Sequence, residues 1–219
     1  MRVKRLLIGI MLMVGLVSCA TKDKKDTQFK TELSQLADVS IENIESSLMF
    51  EMVADHKDAC AKGDYQKCYN TGVLYARGDG NTKFYNKVVH YFRVACGGGF
   101  LKACTKLGAM FEEGVGVRHS PVSALRYYQG ACSLSEPDAC NNLARFVEQG
   151  IIVNKDIKYA ALLYEKSCAS GSLAGCLNAG KAYAKGKGVE KDKKQAKNFF
   201  GLACDGGLQE ACDSYKAFD

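Results

Sequence analysis

Tryptophan is absent from the sequence and proline is scarce, with 2 prolines in 219 residues. The chain also lacks any long stretch of alternating apolar and polar residues, which is the pattern expected of a half-buried strand. Glycine, alanine, leucine, lysine and tyrosine are plentiful instead. Because proline interrupts helices and strict alternation accompanies sheets, this composition favours an all-α protein.

A strong excess of one charge is missing too. The formal net charge is +6, and three of the positive charges, Arg2, Lys4 and Arg5, lie in an amino-terminal segment that we expect to be removed. Without them the net charge is +3. This value is too small to predict a nucleic acid partner, and the sequence has no RNA-binding or zinc-finger motif.

The residue patterns of common hydrolases are also missing. No serine has lysine three residues later, and Ser-Asp-Asn and Lys-Thr-Gly do not occur, although serine β-lactamases need these groups. The histidines, His56, His90 and His119, lie far apart and in no His-x-His or His-Glu-x-x-His context. We therefore predict no catalytic residue, no metal site and no cofactor.

The amino-terminal segment has the features of an export signal. Positive charges in Met1–Arg5 precede the apolar run Leu6–Val17, which is too short for a comfortable membrane span. The following Leu16-Val17-Ser18-Cys19 resembles a bacterial lipobox. This resemblance implies cleavage before Cys19 and attachment of diacylglycerol to its sulfur, hence a membrane anchor. An ordinary secretory signal and an uncleaved anchor are the alternatives.

The position after the lipobox cysteine bears on localisation. Ala20 stands there rather than aspartate, which by resemblance to lipoprotein sorting indicates an outer-membrane or periplasmic lipoprotein; a secreted protein is the alternative. We predict a signal peptide over 1–18, a flexible tether over 19–28, a helical amino-terminal cap over 29–59 and a repeat array over 60–219.

The array is marked by cysteines at a fixed period. Ten of the 11 cysteines form pairs with eight-residue spacing, and the pairs recur every 36 residues. The pairs are Cys60/Cys68, Cys96/Cys104, Cys132/Cys140, Cys168/Cys176 and Cys204/Cys212. A period kept this strictly predicts a repeat architecture, with units that begin at residues 60, 96, 132 and 168 and a truncated unit from 204.

Most units carry a common pattern after the second cysteine. A small residue follows four positions on, an aromatic residue seven on and glycine ten on, as in Gly72, Tyr75 and Gly78. The first two offsets share one helical face, and the glycine suits a left-handed helix end. A second helix then ends at the next cysteine. We therefore predict two helices per unit, joined by a glycine-rich loop.

Segments such as Leu107-Gly-Ala-Met-Phe-Glu-Glu-Gly-Val-Gly-Val resemble Sel1-like repeats, which are relatives of the tetratricopeptide repeat. The paired cysteines narrow the resemblance to the helicobacter cysteine-rich protein family. It covers about Met52 to Ala217 and implies a right-handed α/α solenoid of helix-turn-helix units. One unit departs from the pattern, with Ala144, Val147 and Ile152 in place of glycine, an aromatic residue and glycine.

The truncated unit that begins at Cys204 is expected to act as a trailing cap. Its aromatic residues Tyr215 and Phe218 would close the end of the core.

The cysteine pairs are expected to be disulfides. Eight residues of one helix rise about 12 Å, whereas a disulfide needs Cα atoms about 4.4–6.8 Å apart. The bridge therefore requires the chain to turn back between the cysteines, where turn residues are concentrated. Zinc binding is the alternative interpretation of the cysteine pairs, but zinc fingers place only two to four residues between paired ligands. Each bridge should join the second helix of one unit to the first helix of the next.

A row of polar residues follows the second cysteines. Asn70, Lys106, Asn142 and Asn178 recur two positions after them. If the first helices line a concave face, as the tetratricopeptide resemblance implies, these side chains form a candidate ligand-binding row. The alternative is a first-turn position that favours asparagine for backbone bonding.

Our functional prediction is a monomeric binding scaffold in the cell envelope or towards the host. Its partner would be a protein or peptide, or a peptidoglycan-related ligand. The alternative is the penicillin binding and β-lactam hydrolysis that the cysteine-rich family resemblance implies. A structural envelope protein is the third option.

Overall fold

The computed structural model describes residues 52–77 and 85–218. Our predictions for the signal, Cys19, the tether and the cap up to residue 51 lie outside the described residues. Within the described ranges every regular element is a helix. The helices are α1 (52–61), α2 (Tyr65–Arg77), α3 (Tyr85–Gly97), α4 (Leu101–Glu113), α5 (Pro121–Ser133), α6 (Pro137–Gln149), α7 (Ile157–Ala169), α8 (Leu173–Lys185), α9 (Lys193–Asp205) and α10 (Gln209–Lys216).

Side-chain caps set where most helices begin. The residue before the helix accepts a hydrogen bond from the backbone N–H three positions on at Asp64, Ser120, Glu136, Asp156, Ser172 and Asp192. Both prolines, Pro121 and Pro137, stand at the first helical position after such a cap. Proline suits this position because its missing N–H has no partner there in any case.

The first helices α4, α6 and α8 end at glycine as the sequence predicts, whereas the predicted helix end at Gly78 lies outside the described residues. Gly114 follows α4 with φ 74° and donates its N–H to the Met110 carbonyl oxygen at 2.8 Å. Gly150 and Gly186 do the same after α6 and α8. Left-handed backbone is cheap for glycine. Two residues further along, Ile152 also has a positive φ of 64°, which is uncommon for a β-branched side chain.

The helices pack in sequential pairs. The pairs α2/α3, α4/α5, α6/α7 and α8/α9 are the units, and each second helix also packs on the first helix that follows it. In addition α4 contacts α6, and α6 contacts α8, whereas neighbouring second helices have no comparable contact. The first helices therefore lie on the side where successive units approach each other most closely. We call this side the inner face.

Aromatic pairs on the second helices α3, α5 and α9 fill the cores of their units. The second ring of each pair, in Phe92, Tyr128 and Phe200, packs over the small residue of the first helix, at Gly72, Gly108 and Gly180. The first ring stacks on an aromatic residue of the first helix in the same unit: Tyr91 on Tyr75, Tyr127 on Phe111 and Phe199 on Tyr183. The predicted small–aromatic pattern therefore describes contacts within one unit.

Disulfides join each unit to the next. The bridges Cys60–Cys68, Cys96–Cys104, Cys132–Cys140, Cys168–Cys176 and Cys204–Cys212 have Cα–Cα distances of 4.4 to 4.8 Å. Every bridge links the last turns of one helix to the first turns of the next helix across a short turn. The predicted fold class, a helical solenoid stapled by disulfides, is confirmed.

Hydrogen bonds and ion pairs of Glu112 and Glu148 cross the same joints. We call these interactions polar staples. The Glu112 carboxylate accepts a hydrogen bond from the Tyr128 hydroxyl of its own unit at 2.9 Å and from Arg145 of the next unit at 2.6 Å. One unit later, Glu148 accepts from Tyr164 at 3.2 Å and pairs with Lys187 at 2.8 Å. Burial, and then the bond to Glu112, raise the pKa of Tyr128 above its ordinary value. The hydroxyl is thus held as a neutral donor.

We expect Gly108→Ala to destabilise the protein by about 1–3 kcal/mol. A Cβ at this position would lie 2.5 Å from the Tyr128 ring. That ring is held by its hydroxyl bond to Glu112 and by edge contact with Phe146. Gly130→Ala is the matched control, since Gly130 is exposed in α5 with open space around it. The control should stabilise by about 0.5–1 kcal/mol. Urea denaturation of both variants measures the difference, and equal effects would contradict this packing account.

Candidate functional site

The inner face carries a cleft that several first helices build together. Its volume is about 440 Å³. The residues that line it come from α2, α4, α6 and α8 and from the turn before α6: Tyr69, Lys102, Thr105, Lys106, Ala109, Glu136, Asp138, Asn141, Asn142 and Ala174. A ligand in this cleft would therefore contact several units at once, which a single helical pair could not provide.

Glu136 anchors the floor of the cleft. Its side chain is 4% exposed, and one carboxylate oxygen accepts from the Thr105 hydroxyl and from the Ala139 backbone N–H, both at 2.6 Å. The first bond reaches across the joint to α4, and the second caps α6. A buried carboxylate is tolerated only when it is hydrogen-bonded in this way. Glu136 thus positions the wall of α6 relative to that of α4.

The two walls of the cleft differ in chemistry. Lys102 and Lys106 stand one turn apart on α4 and are exposed. The wall from α6 presents the amides of Asn141 and Asn142, together with Asp138, whose carboxylate accepts from the Ser172 hydroxyl at 2.8 Å. Ammonium groups can hold carboxylates, and an amide can pair with a peptide bond through both its donor and its acceptor. The cleft therefore suits a polar, extended ligand.

The structure brings together part of the predicted row. Lys106 and Asn142, which are 36 residues apart, line the same cleft. Asn178 does not line it; its amide nitrogen donates to the side-chain oxygen of the lining residue Asn141 at 2.8 Å. Asn70 occupies the equivalent position on α2 but is not part of the lining.

Several lining residues were missed by sequence analysis. Thr105 and Asn141 stand one position after the second cysteine of their units. A comparison of the residues at this position in all units, in addition to the position after it, could have identified them. The sequence gives weaker evidence for Glu136 as a cleft residue. Its position before Pro137 predicts that it caps a helix, but not that it bonds to another unit. Tyr69, one position after Cys68, occupies the same repeat position as Thr105 and Asn141.

The histidines do not meet. His56 lies in α1, His90 in α3 and His119 in the loop before α5. Over residues 52–77 and 85–218, no three histidine, cysteine, aspartate or glutamate side chains are grouped as a metal site would need. The described part of the chain also has no helix with the length and apolar character required to cross a membrane.

Comparison with known sequences identifies the repeat. The family model of the Sel1 repeat matches three consecutive segments, residues 101–136, 137–172 and 173–208. The chain belongs to the Sel1-repeat family. Each matched segment begins at a first helix and ends before the next one, so the Sel1 boundaries follow the helical pairs α4/α5, α6/α7 and α8/α9. No curated protein sequence matches the chain significantly.

Solved structures of other Sel1-repeat proteins resemble the chain. A protective antigen of uropathogenic Escherichia coli is 30% identical over 73% of this chain and 34% of its own, with a TM-score of 0.63. A Sel1 repeat protein of Oxalobacter formigenes is 24% identical over 76% of this chain and 49% of its own, with a TM-score of 0.66. The chain thus spans a third to a half of the length of these two proteins.

A cysteine-rich relative is also similar. Cysteine-rich protein B of Helicobacter pylori is 34% identical over 62% of this chain and 98% of its own, with a TM-score of 0.47. The predicted resemblance to Sel1-like repeats is confirmed by the three matches to the Sel1 family model.

We expect the Thr105–Glu136 bond to couple two units energetically. Thr105→Val removes the hydroxyl donor, and Glu136→Gln keeps an oxygen that can still cap α6. A double-mutant cycle by urea denaturation should give a coupling energy of about 0.5–3 kcal/mol. The pair Ser120→Ala and Ser123→Ala serves as control, because those residues bond within one unit. Strict additivity of the Thr105 and Glu136 variants would rule out an inter-unit role for this bond.

Proposed function

We propose that this Sel1-repeat protein is an exported binding scaffold that holds an extended peptide segment of another protein along its inner face. The observation that carries the proposal is the cleft of about 440 Å³ that the exposed Lys106 and the half-buried Asn142 of neighbouring units line together. Sel1 repeats form a family usually involved in protein–protein interaction.

The chemistry of the cleft favours an extended backbone as ligand. Asn142 offers a donor and an acceptor that match those of a peptide bond, and Lys102 and Lys106 offer cations for an acidic side chain or a terminal carboxylate. The Tyr69 ring adds apolar surface at one end. The bonds of Glu136 across the joint keep these groups in place before a ligand arrives, which lowers the entropy cost of binding.

Export is the second part of the proposal. Five local disulfides are typical of proteins that fold in an oxidising compartment. We further propose that Cys19 is lipidated and that the chain is an outer-membrane or periplasmic lipoprotein whose partner is an envelope or host molecule.

Labelled palmitate should be incorporated by the natural protein and not by Cys19→Ser. Equal labelling of both would exclude lipidation at this residue.

The inner-face proposal predicts the effect of a double substitution. Lys106→Ala with Asn142→Ala should weaken capture of the natural partner by about tenfold, because two hydrogen bonds of about 0.5–1.5 kcal/mol each would be lost. The melting temperature should stay unchanged, because neither side chain makes a hydrogen bond or an ion pair with another of the described residues. Photo-crosslinking from a probe at position 102 in intact cells identifies and quantifies the captured partner.

A matched control uses the same residue types outside the cleft. Lys194→Ala with Asn198→Ala changes an exposed lysine and an exposed asparagine on the second helix α9. This variant should capture the partner normally. If both double variants lose capture equally, or if the cleft variant loses its fold instead, the inner face is not the binding surface.

A further inference from the structure

One unit of the array is built differently on its outer side, between the second helices. In the units around it, rings stack at two core positions, as in Phe111 on Tyr127 and Tyr183 on Phe199. The unit α6/α7 has Val147 and Leu163 at the corresponding positions. Two aliphatic side chains occupy less volume than two stacked rings, so this unit has unfilled space where its neighbours have aromatic carbon.

The unfilled space is an open groove between α5 and α7. Its volume is about 650 Å³, and both Val147 and Leu163 line it. The same position one unit earlier, beside Phe111 and Tyr127, has a cavity of about 330 Å³. The two grooves are equivalent by the 36-residue register, so the larger one follows from the substitution of the rings. We call the larger one the outer groove.

The residues at the rim of the outer groove also differ from those at the corresponding positions of the neighbouring units. Tyr159 and Leu162 line it and are 48% and 59% exposed. At the corresponding positions the preceding unit has Ser123 and Arg126, and the following unit has Gln195 and Asn198. Exposed apolar side chains around an apolar cavity are unfavourable in water. Their occurrence together with the missing rings, in one unit, marks a surface that another molecule covers.

The charges near the outer groove favour an acidic occupant. Lys166 crosses one end, where its ammonium group donates to the Cys132 carbonyl oxygen of α5 at 2.8 Å. Lys155 and Lys158 do not line the groove, but both are exposed and adjacent in sequence to the lining residues Asn154, Asp156 and Tyr159. The acidic side chain in the lining is Asp156, and one of its oxygens already accepts the Tyr159 backbone N–H at 2.9 Å. The lining itself thus has one cation, Lys166, and one anion, Asp156, and the two exposed lysines of the same unit add positive charge.

We propose that the outer groove binds an acidic amphipathic segment of another protein. One or two apolar side chains of this segment would pack on Val147, Leu162 and Leu163, and its carboxylates would face Lys155 and Lys158. A symmetric contact with the outer groove of a second copy is a poor fit, because two copies of a concave surface cannot fill each other. The groove lies between second helices and shares no lining residue with the inner cleft. The proposal is thus independent of the proposed function.

Two variants separate the outer groove from the rest of the molecule. Val147→Phe with Leu163→Tyr copies the Phe111–Tyr127 pair and fills the groove. Tyr159→Ser with Leu162→Arg copies the rim of the preceding unit and changes only exposed positions, so it retains the fold even if the first variant does not. Lys106→Ala with Asn142→Ala leaves the outer groove intact and serves as the control.

The test is selection of random peptides displayed on phage against the full disulfide-bonded protein, with removal of peptides that also bind the Tyr159→Ser/Leu162→Arg variant. We expect the recovered peptides to combine apolar side chains with aspartate or glutamate. Synthetic copies, measured by fluorescence anisotropy, should bind both groove variants at least about tenfold more weakly and the inner-cleft control unchanged. Lys155→Glu with Lys158→Glu should weaken binding by a similar factor.

Several outcomes would overturn the proposal. Recovery of no peptide specific for the natural groove, or of peptides without acidic residues, would exclude an acidic segment as occupant. Dimerisation that both groove variants abolish in light scattering would assign the groove to a second copy. Binding of a fatty acid with peptide-like affinity, lost in both variants, would assign it to a lipid.

Discussion

The close approach of two cysteines across each short turn is the constraint on which the rest of the structure depends. Cα atoms 4.4 to 4.8 Å apart cannot be eight residues apart on one helix, so every bridge forces the chain to reverse between units. In the chain-entropy picture each bridge contributes about 2.5 kcal/mol by restricting the unfolded chain. The polar staples of Glu112 and Glu148 then cross the joints that the bridges close.

The regular repeat and its departures have different consequences. Regularity places equivalent residues of neighbouring units side by side, which is how Lys106 and Asn142 come to line one cleft. Departure from the repeat replaces two stacked rings with the smaller side chains of Val147 and Leu163, and these two residues line a larger groove. The first surface is polar and lies among first helices, whereas the second is apolar and lies between second helices. One scaffold thus offers two chemically distinct surfaces.

The period of 36 residues was sufficient to predict the helical pairs, the glycine helix ends and the disulfide joints, because these depend on neighbours within one unit or across one turn. The candidate site was predicted only in part. Register identified Lys106 and Asn142, but the bond of Asn178 to Asn141 depends on how far apart successive first helices lie. Val147 and Ile152 were recognised as departures, yet the size of a groove depends on the volume of every side chain around it, and sequence spacing carries no such information.

The central claim is that each bridge is local and closes one joint, and peptide mapping of the protein without reduction tests it most directly. The account predicts crosslinked fragments only within the pairs Cys60–Cys68, Cys96–Cys104, Cys132–Cys140, Cys168–Cys176 and Cys204–Cys212. Crosslinks between different pairs, or free thiols at these positions in the native protein, would contradict it.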